Sequence, residues 1–322
     1  MPNNLKPTDK KSAKKGAIAK ALERFIQDLP RFIYIEPTNL CNLHCPICPT
    51  GRGDAPGPKG FMKLDLFRRI LEGARRSSYR AEILFLHKDG EPLLHPDIVE
   101  MVRLAKEAAI AKEVAFATNA ALLDESVSKG LIAAGLGELY VSIESLDPAR
   151  YAEIRAGAEI ESVIANVRRF IELKGGKGRG PRLVIATINL GCSAPDVVRI
   201  FDEWRDMADR VQVVERYGWA GRYNEELPRA RKKRVHPCAS LWYLMAITWR
   251  GEVNLCCLDA GSTHPIADLH NETIPQIWRG EQYRRLRQLH LQGKFSGISL
   301  CRNCIDGDIP WIEKALSEIT EQ

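Results

Sequence analysis

From position 31 onward the chain alternates two kinds of apolar patterning. Short runs rich in β-branched and aromatic residues, at 32–36, 82–87, 113–118, 138–143, 183–189 and 210–214, have the length and composition of strands. Between them, stretches at 64–75, 96–108, 124–134, 160–172 and 194–207 space apolar residues three and four apart, which gives a helix one core-facing stripe. Strands and helices in strict alternation predict parallel βα units, because a parallel pair needs a long crossover that a helix fills. Six strands are too few for an eight-fold barrel. The expected fold is therefore α/β: an incomplete (β/α)6 TIM-like barrel over 31–215.

The pattern changes after position 214. A polar stretch ends in the basic run Arg229, Arg231, Lys232, Lys233 and Arg234. Two strands, at 242–248 and 252–256, then face each other across Trp249-Arg250-Gly251 as a hairpin, and helices follow at 274–278 and 282–291. This predicts a small C-terminal domain over 216–310 and a helical tail over 311–322. At the other end, residues 1–30 form a basic leader (Lys6, Lys10, Lys11, Lys14, Lys15) with a helix at 12–26. There is no internal repeat, and the Lys/Gly-rich turn at 174–180 is the nearest approach to low complexity.

Composition narrows the function classes. With 45% hydrophobic residues, the 322-residue chain is too apolar to be disordered. A net charge of +6 permits an anionic substrate but falls short of a nucleic-acid footprint, and the basic run at 229–234 reads as a solvated face. No apolar run approaches a membrane span, and the leader lacks the apolar core of a signal peptide. The expectation is a cytoplasmic protein acting on neither membrane nor nucleic acid. In a reducing compartment nine cysteines point to metal or redox chemistry rather than to disulfides.

Cys41, Cys45 and Cys48 form a C-x3-C-x2-C run directly after the first strand. Three thiolates on one loop can hold three irons of a cubane and leave the fourth iron open. Structural zinc, the alternative, asks for four ligands. This spacing in a βα chain resembles the radical S-adenosylmethionine (SAM) superfamily. The resemblance implies that SAM chelates the open iron and is cleaved to a 5′-deoxyadenosyl radical, with a flavodoxin- or ferredoxin-type protein as electron donor. Further matches follow in the family's order. Gly90-Glu91-Pro92 is similar to the "GGE" element, with Asp89 in place of its first glycine. Asn119, in Thr118-Asn119-Ala120, and Ser142 and Glu144, in Ser142-Ile143-Glu144, stand where SAM contacts usually lie, at strand C-termini. Arg155 is a carboxylate partner by chemistry. Two departures stand out: Ile47 replaces an aromatic that often packs on adenine, and Glu144 stands where aspartate is common.

The second cysteine group comprises Cys238, Cys256 and the pair Cys301-Arg-Asn-Cys304. Four thiolates can fully ligate a second [4Fe–4S] cluster, with zinc again the alternative. A cysteine, a hairpin with Gly251, a second cysteine and a closing C-x2-C resemble the SPASM/twitch appendages of radical SAM enzymes. The single-cluster form is similar to that of 2-deoxy-scyllo-inosamine dehydrogenase and related aminocyclitol and sugar epimerases. Residues 266–269 and 277–280 match the connector of such domains. Cys192 reads as a small buried residue. Cys257 directly follows a cluster ligand, and three readings stand open for it: an alternative ligand to Cys256, an inert thiol, or a hydrogen-atom donor facing the substrate.

The resemblance implies abstraction of a carbinol hydrogen from a small carbohydrate-like substrate, a sugar, aminoglycoside or aminocyclitol. An epimerase would then return a hydrogen atom from Cys257, and a dehydrogenase would release a ketone. Peptide modification ranks below both, since peptide-modifying relatives often carry a larger recognition domain than residues 1–30 could form. His87, Lys88, Glu215, Arg216 and Tyr217 are substrate-contact candidates from strand-end position alone. Strand alternation sends Cys256 and Cys257 to opposite sides, so both serve only where the hairpin end bends or bulges.

Overall fold

The computed structural model describes residues 29–77, 80–190, 194–227 and 237–306. The leader helix at 12–26, the basic run at 229–234, Cys192 and the tail at 311–322 lie outside the described residues.

Six parallel strands, β1 (Phe32–Ile35), β2 (Ala81–Phe85), β3 (Ala111–Thr118), β4 (Glu138–Ser142), β5 (Arg182–Asn189) and β6 (Arg210–Glu215), form the expected partial barrel in chain order. Period two divides their side chains. Ile33, Ile35, Leu84, Val114, Phe116, Leu139, Val141, Leu183 and Ile185 are buried with the apolar stripes of the crossover helices, among them Phe67 and Ile70 of Leu64–Arg75 and Val163 and Val167 of Ile160–Leu173. Each buried aliphatic side chain of this layer is worth about 1.5–3 kcal/mol, which is why the sheet closes around it. The other set faces inward. Tyr34 lies opposite Phe85 and stacks on it at 4.6 Å, and Phe85 meets Tyr140 at 6.2 Å.

The helix expected to end at 207 stops at Trp204, where Met207 and Ala208 donate their N–H groups back to the Trp204 carbonyl. A short helix, Pro148–Ile154, has no counterpart among the expected elements. Its start nonetheless carries a readable signal: the Asp147 carboxylate caps the Arg150 N–H, and proline sits at the first helical position.

The larger difference lies beyond β6. Strand β7 (Leu244–Ile247) pairs in parallel with β1, Tyr34 opposite Ala246, and so extends the barrel sheet past its first strand. Strand β8 (Glu252–Asn254) returns antiparallel across a turn where Gly251 takes φ 85°. Strand β9 (Pro265–Asp268), which the sequence presents only as a connector, closes the sheet antiparallel to β8. The order is β6-β5-β4-β3-β2-β1-β7-β8-β9. The expected hairpin thus exists, as part of the same sheet.

Candidate functional site

The loop after β1 and the C-terminal ends of β2 to β6 surround one cavity holding about 1020 Å³ of empty space, part of it open to solvent. One wall is the cysteine loop, with Cys41, Cys45, Cys48, Ile47 and Gly51. Cys45 is buried, and the chain turns there through a Cys48 N–H to Cys45 carbonyl bond of 3.1 Å. Burial pushes the Cys41 thiol up to about 11, with Glu91, Cys45 and Cys48 adding to the rise, so the three sulfurs share one neighbourhood. No three Cys, His, Asp or Glu side chains among the described residues converge closely enough to hold a single metal ion.

A second wall is the Gly90-Glu91 loop after β2. A Cβ on Gly90 would stand 2.4 Å from the carbonyl oxygens of both Thr38 and Leu40, so only glycine lets this loop seat against the approach to Cys41. The Glu91 carboxylate accepts from the Leu93 N–H (3.0 Å), the Thr118 hydroxyl (2.7 Å) and the Asn119 N–H (2.8 Å). Three of its roughly four lone-pair sites are taken, which leaves one for a ligand. Burial raises its pKa, against these three bonds. Pro92 is buried and starts the 3-10 turn that follows, away from the cavity lining.

The Asn119 amide donates to Asn42 Oδ1 at 2.9 Å, joining the end of β3 to the cysteine loop. Ala120 holds φ 59°, a left-handed backbone that a non-glycine residue adopts at a cost. Ser142 and Arg155 complete the lining. The Arg155 guanidinium grips both oxygens of the buried Glu144, with Nε to Oε2 at 2.6 Å, and reaches Cys45 Sγ at 3.9 Å. Burial opposes its charge, yet the Glu144 pair raises its pKa on balance. Glu144 therefore fixes Arg155 and does not itself line the cavity.

Of the strand-end candidates, His87, Lys88, Glu215, Arg216 and Tyr217 all line this cavity. Lys88 is buried and pairs with Asp89 at 2.7 Å while donating to the Asp259 carbonyl at 3.0 Å. Asp89 also accepts from the Gly261 N–H at 3.0 Å, and its own N–H donates to Glu36 Oε1 at 3.2 Å. Glu36 Oε2 accepts from the Trp249 N–H at 3.1 Å. Burial drives the Glu36 carboxyl up to about 7, partly offset by Lys88. This buried group braces the ends of β1 and β2 against the turn after β7 and the loop at 259–261. The Asp89 carboxylate, bonded to both Lys88 and Gly261, is what makes the brace.

The second cysteine group lies across that brace. Strand β8 ends at Asn254, and Cys256 and Cys257 occupy the turn beyond it. Alternation no longer applies there, and the two thiols hydrogen-bond to each other, with burial also raising the Cys256 pKa. Cys257 is not part of the cavity lining. It adjoins inner-face phenols: after burial it is the largest influence raising the Tyr34 hydroxyl well above the usual range. Tyr243 feels both Cys238 and Cys257 and is pushed beyond the usual phenol range, chiefly by burial. The Cys304 N–H donates to the Cys301 carbonyl at 3.3 Å, closing the C-x2-C turn.

Sequence reasoning misses Tyr34, Tyr243 and Trp219. The Phe32-Ile33-Tyr34-Ile35 alternation carries the signal for Tyr34. Trp219, on the cavity wall with φ 52°, is held by Asp306, whose carboxylate accepts from the Gly218 N–H at 2.7 Å and the Ala220 N–H at 2.9 Å. No local pattern announces that contact.

Comparison with known proteins follows the same division of the chain. Residues 35–189 match the radical SAM superfamily, and residues 238–305 match SPASM, an iron–sulfur cluster-binding domain. A probable GTP 3′,8-cyclase of Methanococcus maripaludis is 32% identical over 179 residues, which cover 55% of this chain and 56% of that protein. The chain thus spans little more than half the length of such relatives. A tungsten-containing aldehyde ferredoxin oxidoreductase cofactor-modifying protein of Pyrococcus furiosus is 25% identical over 301 residues, 80% of this chain and 83% of the relative. The crystal structure of BtrN in complex with AdoMet and 2-DOIA superposes with a TM-score of 0.61 at 17% identity, covering 87% of this chain and 95% of that one. A radical SAM domain implies a [4Fe–4S] cluster and SAM, and a SPASM domain implies further iron–sulfur binding. The chain is thus similar to the radical SAM superfamily over residues 35–189 and to SPASM iron–sulfur cluster-binding domains over residues 238–305.

Proposed function

We propose that the protein is a radical SAM epimerase of a small hydroxylated substrate, a sugar, aminoglycoside or aminocyclitol, with Cys257 as hydrogen-atom donor. Cys41, Cys45 and Cys48 hold the first cluster. Their shared neighbourhood, too open for one tetrahedral ion with sulfur at about 2.3 Å, suits thiolates that each serve a different iron. Cys238, Cys256, Cys301 and Cys304 hold the second. The free acceptor site of Glu91, together with Gly90, Asn119, Ser142 and Arg155, suits the amino-acid end of SAM. When bound, SAM and its cluster supply a 5′-deoxyadenosyl radical that takes a hydrogen atom from a substrate carbinol carbon.

The observation that carries the reading is the position of the Cys257 thiol, outside the strand, against Cys256 and Tyr34. Its S–H bond breaks, a new C–H bond forms on the opposite face of the substrate carbon, and the centre inverts. One electron from a flavodoxin- or ferredoxin-type donor and one proton from solvent restore the thiol. The cavity cations Lys88, Arg155 and Arg216 are each paired with a carboxylate, of Asp89, Glu144 and Glu226 respectively. That pairing favours a hydroxylated substrate without phosphate groups over a triphosphate.

Cys257→Ala tests the proposal. The variant should keep the wild-type iron content, about eight irons per chain, and keep cleaving SAM, but lose inversion and solvent-deuterium incorporation. Full epimerase turnover by the variant, or a wild-type product that is a ketone, would hand the reaction to a dehydrogenase.

A further inference from the structure

His87 follows β2 on the cavity wall, and its ring is held on three sides. The Tyr34 ring meets it edge-on at 5.3 Å and the Phe85 ring at 5.4 Å. On the third side the Ala117 backbone N–H of β3 donates to Nδ1 at 3.2 Å. A backbone amide has only a donor to offer, so Nδ1 must accept and carries no proton. Burial among these rings lowers the imidazole to about 4, so the ring is neutral at physiological pH. A neutral imidazole with a bare Nδ1 has its one proton on Nε2. That nitrogen has no protein partner among the described residues. The tautomer is set by the backbone of the neighbouring strand and not by anything in the cavity.

We infer that His87 is a substrate-binding residue whose Nε2–H donates to a substrate oxygen on the Tyr34 side of the cavity. This rests on the proposed hydroxylated substrate and deepens it. The donor's position ties it to the donor thiol: the ring that touches the cavity also packs on Tyr34, whose hydroxyl lies beside Cys257. A substrate oxygen bonded to Nε2–H is thereby presented next to that wall. The same tautomer cannot take a proton from the substrate hydroxyl, because its only basic nitrogen is turned to the Ala117 amide. An imidazole at this position therefore holds a carbinol without helping to oxidise it, which suits inversion better than ketone formation.

Three variants and one spectrum separate the roles. His87→Phe keeps an aromatic ring and removes the donor, whereas His87→Gln supplies an amide N–H near the position of Nε2. The reconstituted holoenzyme is titrated calorimetrically with myo-inositol and with 2-deoxystreptamine, a cyclitol and an aminocyclitol. One hydrogen bond is worth about tenfold in affinity, so the phenylalanine variant should bind about tenfold more weakly and the glutamine variant within about threefold of wild type. SAM affinity should stay at the wild-type level in both. Wild-type affinity in the phenylalanine variant, or an equal loss in both variants, would overturn the assignment. Long-range 15N–1H spectra of the oxidised holoenzyme, with the His87 signal identified by its loss in the glutamine variant, should show an Nε2–H tautomer from pH 8 to about 5.5. An Nδ1–H tautomer in that range overturns the donor whatever the substrate, and an imidazolium overturns the neutral ring that the Ala117 amide imposes. If wild type binds neither probe, the hydroxylated-substrate reading fails, and the substrate half of this inference with it, while the spectrum still decides the tautomer. A Cys257→Ala holoenzyme should bind both probes as wild type does, which separates holding the substrate from quenching it.

Discussion

Lys88→Met removes the cation of the buried brace and leaves its carboxylates in place. Two bonds go: 2.7 Å to Asp89 Oδ2 and 3.0 Å to the Asp259 carbonyl. Asp89 Oδ1 already lacks a partner among the described residues, so the carboxylate keeps only the Gly261 N–H. Breaking a buried pair from one side costs about 3–5 kcal/mol, most of it the stranded charge. The loop at 259–261 loses the Lys88 bond to the Asp259 carbonyl and keeps only its Gly261 bond to a stranded carboxylate, so part of that cost should appear as local opening. About 3 kcal/mol corresponds to roughly a hundredfold faster exchange of the amides there. Hydrogen–deuterium exchange on the holoenzyme, read over peptides spanning 256–264, measures it. The diagnostic arm is the double variant Lys88→Met, Asp89→Asn, which removes the stranded charge as well. It should be more stable than Lys88→Met alone, a favourable coupling between the two changes. Exchange at 256–264 that matches wild type in Lys88→Met, or a double variant as damaged as the two single changes combined, would refute the brace.

Two further outcomes follow from buried cations and imidazoles. The folded pKa of His87, about 4, lies below its ordinary 6.5, so between those values the unfolded chain binds the extra proton. Its contribution is complete above pH 6.5 and is lost as pH falls through 4, at most about 3 kcal/mol because cavity water reaches the ring. The thermal midpoint of wild type should therefore fall more steeply from pH 7 to 4.5 than that of His87→Phe, and parallel slopes would contradict this. Arg287 lies 4.3 Å over the Trp278 ring and donates to the Leu241 and Trp278 carbonyls at 2.8 and 3.0 Å. Arg287→Met should cost about 3 kcal/mol by stranding both carbonyls, and Arg287→Lys should recover less than half for want of a planar fork. Denaturation midpoints check both, and a methionine variant as stable as wild type would remove the guanidinium from the account.

Elements set by local spacing are legible in the amino-acid sequence. The helix at 64–75 lies where its apolar stripe puts it, because Leu66, Phe67, Ile70, Leu71 and Ala74 recur on one face and need no distant partner to declare it. The cysteine loop and Gly90 are legible for a similar reason, since their chemistry depends on close spacing. Pairing across long separations is not legible in this way. Nothing in Leu244–Ile247 says that it lies beside β1 rather than in a detached hairpin, because both placements satisfy its alternation. Cys257 shows the same limit at a smaller scale. Alternation treats it as a strand residue, but the strand ends at Asn254, so the two thiols can meet. His87 is legible as a strand-end residue only, since its tautomer depends on an amide of the next strand.

The placement of β7 changes how the two cysteine groups relate. A domain appended through a flexible segment would leave the distance between Cys41 and Cys256 to the tether. Here β1 leads into the Cys41 loop, β8 leads out to Cys256, and β7 bonds to both strands. The main chain thus carries a continuous ladder from one group to the other. Four register pairs join β1 to β7, and the Glu36–Lys88–Asp89 brace closes the same seam from the cavity side. Because an extended sheet yields little along its strands, the separation between the groups is set by strand spacing, about 4.8 Å per step. In the proposed reaction, a substrate held by the neutral His87 donor just after β2 and met by the Cys257 thiol after β8 would have both contacts fixed to one sheet. Inversion demands that arrangement, since hydrogen must leave one face of a carbon and return to the other before the carbon can turn.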